Sequence, residues 1–400
     1  MSAKNALLFF CISYLIGLFG VYALINFSNV VLSVFLFPLL YLIGIFLFYR
    51  VRWWRGKQEV YRLSVLLLSG LLISSLFSYN PVKSLGYVMI LHLNIIYSFL
   101  LFVFFSKLSL LRFILNTLRF LLMLSIVYLF IDSSFVLYID PLDRDSLLGL
   151  PNFKGFYPHK IHASFYNIIG VFLSWYFYRR RRSNYDLIWA VIFVIAVLST
   201  GSSLGLISLV LLFLFCNALI YLRHNIGYHL TVASLVTFVL CFFVAYLFDA
   251  QYLILEILGR DKTLTGRTDI WDFGLNYIER NLLLGGGFAI FFDQVPQAPA
   301  NTLWKQMLYY EAPSFHNGFI EILAEGGILG ALPFFFMLVY VFFSCLKRGN
   351  YVFLGLAILC IIANVGAALF VKPNMFFWVI LSYILISNNL SNKINKRRIF

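Results

Sequence analysis

Long apolar runs separated by short polar links set the pattern of this chain. Such runs recur near 6–26, 30–49, 63–79, 87–105, 113–131, 164–178, 187–200, 203–222, 229–249, 317–345, 351–371 and 373–388. A bilayer core of about 30 Å takes roughly 20 residues of helix, and a helix satisfies its own backbone groups where lipid offers no partner. The pattern predicts an all-α polytopic membrane protein with about 12 transmembrane helices. Residues 1–400 are expected to form a single integral membrane domain, with no internal repeat and no appended soluble domain. The first run follows Lys4 as a signal peptide would, but a second run comes at once, so an uncleaved helix is expected.

Every second link is basic. Arg50, Arg52, Arg55, Lys57 and Arg62 lie between the second and third runs, Lys107 and Arg112 between the fourth and fifth, and Arg179 to Arg182 between the sixth and seventh. Arg223, then Lys347 and Arg348, then a basic tail over 389–400 continue the series. By the positive-inside rule these links and both termini face the cytoplasm. The remaining links face outward, and two of them are long, 132–163 and 249–316, carrying most of the acids. Loops beyond about 15 residues are commonly functional, and the second is rich in aromatic residues, which favours order.

Composition agrees with this reading: 62% of residues are hydrophobic and 12% charged. The net charge of +14 is then an orientation signal and a contact with anionic headgroups, and no nucleic-acid partner is expected. Cys11, Cys216, Cys241, Cys345 and Cys360 all fall in predicted spans, without a C-x-x-C, so neither a disulfide nor a metal site is supported.

Candidate chemistry therefore lies in the outward links. Residues 266–280 read as a short amphipathic helix with Ile270, Phe273, Tyr277 and Ile278 on one stripe, suited to lie on the bilayer surface. Arg267 stands at its start, where free N–H groups and the dipole favour an anion that a guanidinium can hold in a fork. An interfacial Arg snorkelling to headgroups fits the same spacing. Gly285 to Gly287 reads as a turn. The loop closes on Ser314-Phe315-His316-Asn317-Gly318. His316 is a candidate base for a sugar hydroxyl with Asn317 to orient it or bind sugar, and a histidine merely sited at the interface is the competing reading. Glu321 and Glu325 share a face of the following helix and should meet a wet cavity, His316 or an arginine.

In the first long link, His159, Lys160 and His162 precede a span. Two histidines lack a nearby third ligand for metal, whereas Lys160 suits a phosphate as a point charge. Leu198 to Ser203 is a small-residue turn that would admit a ligand or a loop, with Ser202 in it. Trp271, Trp304, Tyr309 and Tyr310 are read either as sugar-stacking rings or as interfacial anchors.

The order of these motifs, His159-Lys160 before a span, Leu198-Ser-Thr-Gly-Ser-Ser203 between two spans, Gly266-Arg-Thr-Asp-Ile-Trp271, and His316 to Gly327, resembles the superfamily of bacterial O-antigen polymerases, exopolysaccharide polymerases and O-antigen ligases. The resemblance covers most of the chain in topology and about forty residues in motif. It implies a C-type glycosyltransferase-like enzyme of the bacterial inner membrane, multi-pass, with a large periplasmic loop holding short amphipathic helices and an active periplasmic face. It implies an undecaprenyl-diphosphate-linked oligosaccharide as donor, with neither cofactor nor metal. Carried over, Arg267 clamps the diphosphate and His316 activates the acceptor as catalytic residues. Arg260, Lys160, His159, Asn317, Ser202 and Glu321 would serve as substrate-binding residues.

Two departures shape the expectation. Ligases of the superfamily carry an Arg in the turn where this chain has Ser202, and the H-K-N of the polymerase branch reads His159-Lys160-Ile161. The absent Arg and the His-Lys pair favour polymerisation of lipid-linked repeats into O-antigen, capsule or exopolysaccharide, with a chain-length regulator as a further partner. Transfer of the glycan to lipid A core by a ligase is the alternative. A lipid-linked oligosaccharide flippase is the alternative of another class, against which the nearly charge-free spans argue. A scaffold in a glycan-assembly complex is a weaker third option.

Overall fold

The computed structural model describes Leu42 and residues 58–104, 107–138, 151–157, 159–221, 267–294, 314–347 and 351–367. Apart from Leu42, the runs near 6–26, 30–49, 229–249 and 373–388 lie outside these residues, as does Arg260. The order is α1 (Gln58–Leu76), α2 (Pro81–Phe104), α3 (Lys107–Ile131), α4 (Ser133–Val136), β1 (Leu137–Tyr138), β2 (Asn152–Phe153), α5 (Lys160–Arg181), α6 (Asn184–Ser199), α7 (Ser203–Tyr221), α8 (Arg267–Arg280), α9 (Phe291–Gln294), α10 (Gly318–Lys347) and α11 (Tyr351–Ala367). Among the described residues, two helical stretches, Leu108–Ile131 and Gly318–Cys345, are long and apolar enough to cross a membrane, and several shorter apolar helices pack with them.

The outward faces of these helices are apolar. Phe120, Met123, Val127 and Phe130 recur at helical spacing along α3, Ile188, Val191 and Ile195 along α6, and Leu332, Phe336, Val339 and Phe343 along α10, all exposed. A water-facing helix would carry charge on those stripes, whereas lipid accepts them. The described residues are helical apart from one short antiparallel pair, Leu137 opposite Phe153 and Tyr138 opposite Asn152, and fit an all-helical membrane protein.

Short links force reversals, and the packing fixes which ends meet. Helix α1 runs antiparallel to α10, since the Ser74 hydroxyl donates to the Glu325 carbonyl and a side chain at Gly70 would overlap the Leu329 carbonyl. Helix α2 starts beside the end of α1, where the Ser84 hydroxyl donates to Ser75 Oγ at 2.8 Å. The end of α3 meets the start of α5 through the Phe156 N–H and Ser125 Oγ, 3.3 Å apart. Gly205 near the start of α7 rests on Ser164 near the start of α5, and Gly318 at the start of α10 abuts Asn364 near the end of α11. One end of the bundle thus gathers the starts of α2, α5, α7 and α10 with the ends of α1, α3, α6 and α11. The opposite end holds Arg112 and the basic last turn of α5, Arg179 to Arg181.

Helix α10 is two helices, where the apolar run over 317–345 predicts one. Gly327 has φ 56° and ψ −163°, a conformation open essentially to glycine alone. The groups freed by the break find partners in the segment after α8. The N–H groups of Gly286 and Gly287 donate to the carbonyls of Ala324 and Glu325, each at 2.8 Å, and the Ile328 N–H donates to the Leu282 carbonyl at 2.8 Å. Residues 328–345 alone reach about 27 Å at ~1.5 Å per residue, close to the thickness of a bilayer core. The turns over 318–326 are therefore free to hold carboxylates outside the hydrocarbon.

Candidate active site

Helix α8 carries the stripe read from the sequence, and protein covers it. Ile270, Phe273, Tyr277 and Ile278 pack with Phe291, Phe315, Ile320 and Leu323. The surface that the pattern alone would lay on the bilayer is thus docked on α9 and the start of α10. Gly274 allows the close approach: a Cβ there would sit 2.5 Å from Phe315 Cε1 and 2.8 Å from Ile320 Cγ2. We expect Gly274→Val to destabilise this docking by about 1–3 kcal/mol. Limited proteolysis of the purified protein checks it, through faster cleavage within 267–294 than in wild type.

The His316 turn is held on three sides. Phe315 is fully buried, and its carbonyl accepts the Trp271 indole N–H at 2.7 Å. The His316 N–H donates to Ser314 Oγ at 3.2 Å, and Asn317 Oδ1 accepts the N–H groups of Phe319 at 3.0 Å and Ile320 at 3.4 Å, capping α10. Between these anchors His316 adopts φ 50°, the left-handed region that non-glycine residues enter rarely. Backbone strain of this kind costs of order 1–3 kcal/mol and concentrates where a side chain must be aimed. Trp271 lies four residues, hence about 6 Å and one turn, after Arg267 in α8. The helix headed by Arg267 and the turn carrying His316 are therefore joined directly.

The glutamates below divide. Glu325 Oε2 accepts the Ala289 N–H at 2.9 Å, so this carboxylate ties the glycine turn to α10. Glu321, 1% exposed, lies one turn closer to His316. Burial pushes the Tyr277 phenol above its usual range, aided by Tyr79, so it stays neutral beside the glycine turn.

The α5 entrance lies at the same end of the bundle. His159 caps α5, its Nδ1 accepting the Ile161 N–H at 3.2 Å while Nε2 lies 3.2 Å from the Tyr138 hydroxyl. An accepting Nδ1 leaves the proton of the neutral ring on Nε2, so His159 orients this entrance as well as lining it. Lys160 follows, 5% exposed, with Nζ 5.6 Å from the centre of the Tyr138 ring. A buried ammonium at the positive end of a helix dipole is favoured by an anion nearby. Burial lowers the Lys154 ammonium below its usual value and raises the Tyr157 phenol well above it. Ser202 caps α7, its hydroxyl accepting the Gly205 N–H at 3.1 Å, and the turn before it uses Gly201 at φ 62°.

Two positions escaped sequence reasoning, Asn364 and Ser164, as did the packing role of Trp271, there read as a sugar-stacking ring or an interfacial anchor. Trp271 positions the His316 turn through its indole N–H, and the signal was its place one turn after Arg267. Asn364 abuts the start of α10, and its mark was a lone amide in an apolar helix. Ser164 touches Gly205 and joins the starts of α5 and α7.

Residues 187–335 match the O-antigen ligase family, a stretch running from α6 through α8 into α10. A stretch of 98 residues is 37% identical to the exopolysaccharide production protein ExoQ of Rhizobium meliloti (strain 1021). That stretch covers 24% of this chain and 22% of the relative. The motifs at His159, Ser202, Arg267 and His316 lie in order along one end of a helical bundle, and over these matched stretches the chain is similar to the O-antigen ligase family and to an exopolysaccharide production protein.

Proposed function

We propose that the protein polymerises undecaprenyl-diphosphate-linked oligosaccharide repeats at the periplasmic face of the bacterial inner membrane. In this reading about twelve helices cross the bilayer, both termini are cytoplasmic, and the end bearing His316 faces the periplasm. The observation that carries it is the docking of α8 on the His316 turn through Trp271 and Phe315. That docking joins the helix headed by Arg267 to the turn carrying His316 at the mouth of α10.

The chemistry follows from the leaving group. The acceptor hydroxyl of one lipid-linked repeat attacks the anomeric carbon of the growing chain, the carbon–oxygen bond to the diphosphate breaks, and the lipid diphosphate departs with the electron pair. Arg267, with Lys160 and Arg260, stabilises the charge that develops there, a role for which no nucleotide or metal is invoked. His316 accepts or orients the acceptor's proton, and Asn317, Ser202, His159 and Glu321 shape the sugar path. In-line attack inverts the anomeric centre.

Arg267→Ala and His316→Ala, expressed in a host lacking its own polymerase, test the assignment. Loss of one charge-stabilising donor costs about a hundred- to a thousandfold in rate. The surface-glycan ladder should then shrink to single repeats at unchanged protein level, and ladders of normal length from both variants would end the reading. The match to the O-antigen ligase family favours one alternative, transfer of the finished glycan to lipid A core. Full-length polymer that never joins the core in a null strain would establish it.

A further inference from the structure

The end of the bundle opposite the candidate active site holds a cleft of about 430 Å³ lined by arginines. Arg112 and Arg119, two turns apart on α3, converge on Asp186 at the start of α6. Arg112 reaches both carboxylate oxygens, at 2.7 and 3.2 Å, and Arg119 Nη2 reaches Oδ1 at 2.6 Å. Arg181, at the end of α5, lines the same cleft and is exposed. Among the described residues lining or contacting the cleft, three guanidinium charges meet one carboxylate. The cleft therefore keeps a surplus of two positive charges, although Arg119 is only 4% exposed. Nε of both Arg112 and Arg119 is buried without a hydrogen-bond partner among the described residues.

The part of that surplus held at Arg112 and Arg119, which share one carboxylate away from open solvent, is costly unless an anion joins it. The space is many times the roughly 30 Å³ share of one water, so it suits a larger polar group. Its walls name the class. Along α3, Arg112, Arg119, Phe120 and Met123 fall on one face of the helix and all line the cleft. Phe120 and Met123 are 59% and 50% exposed and continue the lipid-facing stripe of α3 toward the bilayer middle. Charge at the helix end passing into open apolar surface matches a phosphate diester whose acyl chain runs down the helix.

We propose that this cleft binds one anionic glycerophospholipid of the leaflet opposite the active site. The phosphate sits among Arg112, Arg119 and Arg181, and an acyl chain lies over Phe120 and Met123. The lipid phosphate links Arg181 at the end of α5 to the arginines of α3 and so locks the basic end of the bundle.

Purified full-length protein in neutral detergent, titrated with phosphatidylglycerol or phosphatidylcholine and read by native mass spectrometry, tests the site. One phosphatidylglycerol should bind tightly, with phosphatidylcholine weaker. Arg181→Gln, an exposed change that leaves the Asp186 pairs intact, should weaken phosphatidylglycerol about fivefold, as should Phe120→Glu at the cleft mouth. Millimolar inorganic phosphate should leave the bound lipid in place. Equal binding of the two lipids, or wild-type affinity in both variants, would overturn the proposal. Displacement of phosphatidylglycerol by inorganic phosphate would overturn it too, by identifying a free anion as the occupant.

Discussion

Gly327→Val is expected to remove most of the protein from the membrane fraction and to abolish the proposed glycan synthesis. The backbone at this residue stands at φ 56° and ψ −163°, which costs a side-chain-bearing residue about 1–3 kcal/mol, and more for a β-branched one. A Cβ here also overlaps the main-chain carbonyl of Leu283, which no rotamer change can move aside. Relief would pull the 282–287 segment off the break and strand the N–H of Ile328 and the carbonyl of Ala324, while the Glu325 carbonyl keeps the Ser74 hydroxyl. Each buried unpaired group adds about 1–3 kcal/mol. Gly326→Ala is the control, because its Cβ lies 3.0 Å from Leu71 Cδ2, the far end of a flexible side chain. Immunoblots of membrane fractions and thermal unfolding in detergent separate the two, and equal behaviour of both variants would refute the account.

Asp186→Ala is the second change with a large expected effect. It leaves the guanidinium groups of Arg112 and Arg119 together with no carboxylate between them, one of them 5% and the other 23% exposed at the side chain. Removing one partner of such a buried cluster costs about 3–5 kcal/mol, mostly from the stranded charge. Replacing the buried pair outright, Asp186→Leu with Arg119→Met, should restore much of the loss, since Arg112 can still snorkel toward the headgroups. Thermal unfolding of the purified protein reads both. A single variant as stable as wild type, or a double variant no better than the single, would show that the ion cluster does not hold α3 to α6.

These two sites also show where the sequence was legible and where it was not. Hydrophobic runs located α6, α7 and α10 within a few residues, because burial in lipid and in the core demands the same apolar character. The starts of α1, α2, α3 and α5 were placed four to six residues late, since Gln58, Lys107 and Lys160 are helical but polar. Asp186 fell just outside the run drawn from 187 for that reason, so its pairing with Arg119 across two helices went unseen. The break at Gly327 left only Gly326-Gly327 as a trace, because its partners, Leu282 and Leu283, lie more than forty residues earlier. At the candidate site, residue types at His316, Asn317, Lys160 and Ser202 were readable from local motif. The left-handed turn at His316 and the Trp271 contact depend on long-range packing that no local pattern encodes.

The attachment of α8 has a consequence for turnover. Trp271 fastens one end of it to Phe315, while the Gly286, Gly287 and Ala289 amides fasten the segment beyond its other end to Ala324 and Glu325. A lid that lifted this helix on every catalytic cycle would have to break all of these bonds each time. The shelf bearing Arg267 is thus tied down at both ends, and under the proposed chemistry the saccharide has to move past it rather than wait for it to lift.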